Sequence, residues 1–255
     1  MEEIIRIEND EMSIYEDLII RKDFLHKEAL HCEIKYIEEF GELISKAFEA
    51  KIECIRKKKI ISYCQKILNK GGIINETEME NYISALMKDY YLQLEELLNE
   101  CKEAKMGKSI GEYEVRKIKK IYYRIAKKIH PDMNPDLQDD ETISDLWNRT
   151  LVAYSFNQLE ELEELEVLVN RYLESIDYHH DDIDIPDIEE KIFRLNEEID
   201  RIISSDPYLY KYLLSDAEAI KEKKEELNQE IKEYERYGKQ LDDVISTFDI
   251  KRNYS

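Results

Sequence analysis

Residues 118–135 read IKKIYYRIAKKIHPDMNP, and the rest of the chain is organised around them. Apolar side chains fall at Ile118, Ile121, Tyr122, Ile125, Ala126 and Ile129, in steps of 3, 1, 3, 1 and 3. That spacing lays them along one stripe of a helix. The other face carries Lys117, Lys120, Arg124, Lys127 and Lys128, with Arg116 and Lys119 beside them. No acid interrupts this face between Val115 and His130. Pro131 then stops the helix, because it disfavours helical geometry at His130 and has no N–H to donate. The stop is His130-Pro131-Asp132, on a loop closed by Pro135.

The basic face stands out against the whole. The chain has 255 residues, a formal charge of -21 and 38% charged residues, but only 6 Gly and 4 Pro. So few turn-formers among so many charges predict an all-α protein with long helices. Two of the four prolines sit in the loop just described. The acidic balance speaks against bulk nucleic-acid binding, which needs a cationic surface to displace counterions. The start, Met1-Glu-Glu-Ile-Ile-Arg, lacks the pattern of a secretory leader, and no apolar run is long enough to span a bilayer. Cys32, Cys54, Cys64 and Cys101 are widely spaced, which predicts free thiols and a cytoplasmic setting. No cofactor is expected.

Flanking segments read as helices at every scale. Up to about residue 69, Ile14, Leu18, Leu25, Leu30, Ile34, Ile37, Phe40, Ile44, Phe48, Ile52 and Ile55 recur at helical steps, with Gly41 a weak point inside. Gly71-Gly72 breaks the chain, and Thr77-Glu-Met-Glu80 looks like a capping box opening the next helix. Ser109 with Glu112 looks like a second box, opening the basic helix. A helix from about Thr142 is expected to run past Tyr154, since Leu159, Leu162, Leu165, Val169, Tyr172 and Ile176 keep its period. Between residues 157 and 206 there are 17 acids and 4 bases, a balance of -13. Such a run is ordinarily a solvated face. Its functional reading is a surface that competes within the molecule for the basic face.

Two histidines and two aspartates in Tyr178-His-His-Asp-Asp182 are adjacent on a loop, and adjacent residues rarely converge on one ion; no metal site is expected. Ile188, Ile192, Leu195, Ile199 and Ile202 form one stripe, and a capping box at Ser215-Asp-Ala-Glu218 starts another helix. There Ile220, Leu227, Tyr234, Leu241 and Phe248 recur every seven residues, a coiled-coil seam weakened by Lys224 and Gly238. The pair predicts a C-terminal antiparallel hairpin. Its longer helix needs a further partner, either the N-terminal helices or a second copy in a homodimer. Three consecutive domains are expected: 1–75, 76–177 and 178–255.

The basic helix running directly into His-Pro-Asp, with the frame Tyr122, Ala126, His130, resembles the second helix and loop of a J domain, the module of DnaJ-type co-chaperones. Trp147-Asn-Arg-Thr-Leu-Val-Ala-Tyr154 resembles the third J-domain helix, with Ala153-Tyr154 at the family's pair and Trp147 in place of the usual phenylalanine. The resemblance covers roughly residues 115–154. It departs from the family at the first helix, where only Asp89-Tyr-Tyr-Leu-Gln-Leu94 is similar to the Tyr-Tyr signature, and at Met133, where Lys or Arg is usual. The end of the Thr77 helix is therefore expected to act as the first J-domain helix, antiparallel to the basic one. Lacking a Gly/Phe-rich linker and zinc repeats, the chain is similar to the third, heterogeneous class. That resemblance implies a DnaK-type 70-kDa heat-shock chaperone as partner, with the ATP chemistry belonging to the partner and no enzyme activity here. His130, Pro131 and Asp132 would be the activating tripeptide, and Lys117, Lys120, Arg124, Lys127 and Lys128 the docking face. The helical flanks would choose an unknown client, with no nucleic acid and no membrane involved. The rival reading is a coiled-coil scaffold carrying a non-functional J remnant.

Overall fold

Helix carries nearly all of the chain, as the scarcity of Gly and Pro requires. The computed structural model describes residues 2–106, 112–178 and 185–251. In order these form α1 (Glu2–Asn69), β1 (Ile74–Asn75), α2 (Glu76–Met106), α3 (Glu112–Ile129) and a 3-10 turn at Pro135–Leu137. Then follow α4 (Glu141–Ser155), α5 (Leu159–Ser175), α6 (Ile188–Ile203), α7 (Tyr210–Ser215), α8 (Ala217–Ser246) and β2 (Ile250–Lys251). The architecture is all-α; the two short strands pair in parallel, Ile74 with Ile250.

The chain divides differently from the three consecutive domains expected. One unit takes Met1–His31 and Lys108–Leu209, the other Cys32–Gly107 and Tyr210–Ser255. The 68 residues of α1 contribute to both.

In the first unit, α3, α4 and α5 pack around one core. The stripe Ile118, Ile121, Tyr122, Ile125, Ala126 and Ile129 is buried throughout, together with Ile143, Leu146 and Trp147 of α4 and Leu162, Leu165 and Val169 of α5. The expected single helix through Tyr154 is in fact two. Phe156 and Gln158 bond back to Val152 O and Ala153 O, Asn157 is left-handed (φ 56°), and α5 folds back onto α3 and α4. Asparagine tolerates that conformation because its short side chain bonds locally. The helix expected to play the first J-domain helix, α2, belongs to the other unit; the side chains that close this core come from α1, namely Tyr15, Leu18, Ile19 and Ile20. Leu195 and Ile199 of α6 complete it.

The second unit packs α2 and α8 on the later part of α1. Ile52, Ile60 and Cys64 meet Ile74, Met79, Ile83 and Met87, with Ile245, Phe248 and Ile250 against them. The seam of α8 is filled by α1 of the same chain: Cys54 Sγ donates to Tyr234 O and Lys57 reaches Asp242 at 2.6 Å. Two capping boxes also shift. Asn75, rather than Thr77, caps α2 by accepting from Glu78 N–H, and Asp216, rather than Ser215, caps α8. The box at Ser109 and the histidine pair after Tyr178 lie outside the described residues.

Candidate functional site

The helix stop at Pro131 creates a problem of unpaired carbonyls at the end of α3, and the loop solves it with its own residues. His130 N–H still donates to Ala126 O at 2.8 Å, while Met133 and Asn134 N–H both turn back to His130 O at 3.0 and 2.9 Å. Asn134 is fully buried, and its Nδ2 donates to His130 O at 3.2 Å and Lys127 O at 3.4 Å. Gln138 Nε2 donates to Pro131 O at 3.1 Å. Asp140 then caps α4 through Thr142 and Ile143 N–H, and accepts from the Tyr172 hydroxyl at 2.7 Å. These bonds, the Tyr172 one foremost, hold its carboxyl below the usual carboxylate range. Both ends of the loop are fixed, so its tip is presented on a rigid frame.

The three residues at that tip do different things. Asp132 is exposed and Pro131 half-buried. His130, at the helix stop, is only 7% exposed, with its ring edge-on to Trp147 at 4.7 Å between centroids. Its Nδ1 accepts the Asp132 N–H at 3.0 Å, and its Nε2 lies 3.7 Å from Asp23 Oδ2 on α1. Burial pushes the imidazole below its ordinary pKa, against the pull of the Asp23 and Asp132 charges. Burial likewise raises the Asp23 carboxyl, against a 2.7 Å hydrogen bond donated by the Tyr122 hydroxyl. Tyr15, buried and near the Asp132 charge, is pushed up to about 12, chiefly by burial. Met133, the departure from the family, is fully buried and serves the core.

The basic face is real and largely engaged. Lys117 pairs with Glu163, Arg124 grips Glu166 through two bonds of 2.5 and 2.8 Å, and Lys128 donates to Asn170 Oδ1 at 2.6 Å. All three partners lie on α5, spaced like one face of a helix. Arg124 in turn holds the Glu166 carboxyl below its usual range. Lys127 reaches Glu16 of α1 at 2.8 Å, while Lys120 is exposed to solvent. Two acids of the run, Glu163 and Glu166, thus pair with the basic face. They are surface contacts, with the Lys117 and Arg124 side chains 42% and 51% exposed. Such pairs contribute about 0–1 kcal/mol each and open readily.

Asp23 and Asn134 were not singled out from sequence, whereas Glu166 lies in the acidic run that was. Asp23 had one visible signal: it falls four residues after Ile19 and eight after Tyr15, an acid on a buried row. Among the described residues no group of acidic, histidine or cysteine side chains has the arrangement of a metal site, and no helix is long and apolar enough to cross a membrane. No family model matches the chain, and neither a curated protein nor a solved structure does.

Proposed function

We propose that the chain is a J-domain-type co-chaperone that docks on a DnaK-type 70-kDa heat-shock chaperone and stimulates its ATP hydrolysis. The observation that carries this reading is the solvent-exposed Asp132 carboxylate, held on a doubly anchored loop at the end of a basic amphipathic helix. A rigid anionic tip loses little entropy on docking and forms a charge-assisted bond with a cationic group on a partner. Lys120, and the other bases once their pairs open, would steer α3 onto an acidic surface. His130, Pro131 and Asp132 form the activating tripeptide in this reading, with His130 acting from inside. Four free, buried cysteines fit a reducing compartment such as the cytoplasm. The second unit is the candidate for client or partner selection.

The scaffold alternative draws on one observation, the engagement of the basic face by α5. A single-turnover ATPase assay with a DnaK-type chaperone separates the two. Stimulation by the wild-type chain that disappears in Asp132→Asn, at unchanged helical content, supports the co-chaperone. No stimulation by the wild type, or an unaffected Asp132→Asn, leaves the scaffold. Asp132 is the cleaner probe, because a change at His130 also disturbs the core.

A further inference from the structure

The tip of the loop is tied to α1 through a buried polar chain that its helix stop does not require. Running inward, the Asp132 N–H donates to His130 Nδ1, the other ring nitrogen faces Asp23 Oδ2 at 3.7 Å, and the Tyr122 hydroxyl donates to that same oxygen at 2.7 Å. A neutral imidazole has one donor and one acceptor nitrogen. Since Nδ1 accepts, the ring proton belongs on Nε2, the nitrogen turned toward Asp23. Trp147 packs edge-on against the ring.

We propose that Asp23 is a positioning residue for the tripeptide: its carboxylate selects the His130 tautomer, and that tautomer holds the Asp132 backbone and so aims the Asp132 side chain. The purpose of the aim rests on the co-chaperone reading; the tautomer selection does not. Protonation of His130 would put a hydrogen on Nδ1 and eject the Asp132 N–H, so the neutral ring is the competent form. The groups that bear on it are Lys22 and Asp23 of α1, with His26 acting through Asp23, Tyr122 of α3 and Asp132 of the loop. Tyr15 of α1 is coupled to the Asp132 charge. Burial favours neutrality; Asp23 chooses where the remaining proton sits.

Nitrogen-15 NMR of the histidine rings in the full chain tests this. In the wild type, His130 is expected as the Nε2–H tautomer. In Asp23→Leu the acceptor that faces Nε2 is removed together with the charge. The Nδ1–H tautomer is then expected to become populated, and the Asp132 N–H to lose its acceptor. Loss of the nearby negative charge also moves the His130 titration midpoint down. An unchanged tautomer and midpoint would overturn the proposal. Tyr122→Phe is a second variant that leaves the carboxylate in place. The ring is expected to remain the Nε2–H tautomer there, because the acceptor that faces Nε2 is still present; a switched ring counts against the proposal. In the chaperone assay, Asp23→Leu is expected to lose most of the stimulation at unchanged helical content. Full stimulation from a chain whose ring has switched would overturn the aiming role. A wild type with the expected tautomer but no stimulation sinks the co-chaperone reading and leaves the tautomer selection standing.

Discussion

Lys27 and Tyr154 show how single buried groups set the balance in the first unit. Lys27 Nζ donates to Tyr154 O at 2.6 Å and sits 3.7 Å above the Tyr154 ring. Burial, aided by the Lys119 charge, lowers its ammonium to about 8. An unfolded lysine keeps its proton to about 10.4. Between those values the unfolded chain binds more protons than the folded one, so stability rises with pH. Chemical denaturation at a series of pH values is expected to show wild type gaining on Lys27→Met from about pH 8 upward. Tyr154 carries a different burden, a buried hydroxyl that meets no hydrogen-bond partner among the described residues. Tyr154→Phe removes the orphan and keeps the ring stack on Tyr122, so it is expected to stabilise by about 1 kcal/mol in denaturant titration. The exposed Asp132 was legible in the sequence, because it lies past the helix stop and off the apolar stripe. The burial of His130 has its own signal in the sequence. Tyr122, Ala126 and His130 are spaced by four, and that row continues the buried face through the last turn.

Among the elements, the two glycines inside long helices make opposite predictions. A Cβ on Gly41 would meet Cys101 Sγ at 2.6 Å and Ile37 Cγ2 at 3.1 Å. Gly41→Ala should cost about 1–3 kcal/mol through overpacking, and Cys101→Ala should restore part of it. A Cβ on Gly238 would meet only Lys57 Nζ at 3.5 Å and Cys54 Sγ at 3.7 Å. There alanine is free to contribute its better helix propensity, worth about 1 kcal/mol. Thermal melts of the two variants should therefore move in opposite directions. The sequence predicted Gly238 as a flaw in the α8 seam; it is a place where α1 comes close, and Lys57 donates to its carbonyl. Helix existence was legible because periodicity reports it directly. Helix boundaries and partners were harder. The apolar period survives the turn at Asn157, so α4 and α5 read as one rod. Likewise, nothing in the stripes of α6 and α8 says that each packs against a different stretch of α1.

On the scale of the whole molecule, the charge of -21 is unevenly used. Two glutamates of α5 occupy bases on α3 that a chaperone would need. At about 0–1 kcal/mol per pair, each imposes at most a roughly fivefold loss of affinity. Glu163→Gln with Glu166→Gln is thus expected to tighten chaperone binding by several-fold, measured by calorimetry. Raising salt should weaken binding in the wild type, since attraction between exposed charges is screened over a Debye length. An affinity indifferent to both changes would show that α3 does not dock through its basic face.

The first unit is assembled from two stretches of chain separated by some seventy-five residues of the other. During translation, Tyr15, Leu18, Ile19 and Ile20 emerge from the ribosome long before α3, α4 and α5 exist to receive them. Until then the nascent chain displays a greasy strip with nothing native to cover it, the state in which polypeptides are most prone to clump. The early chain therefore depends on something else to shield that strip until the later helices are made.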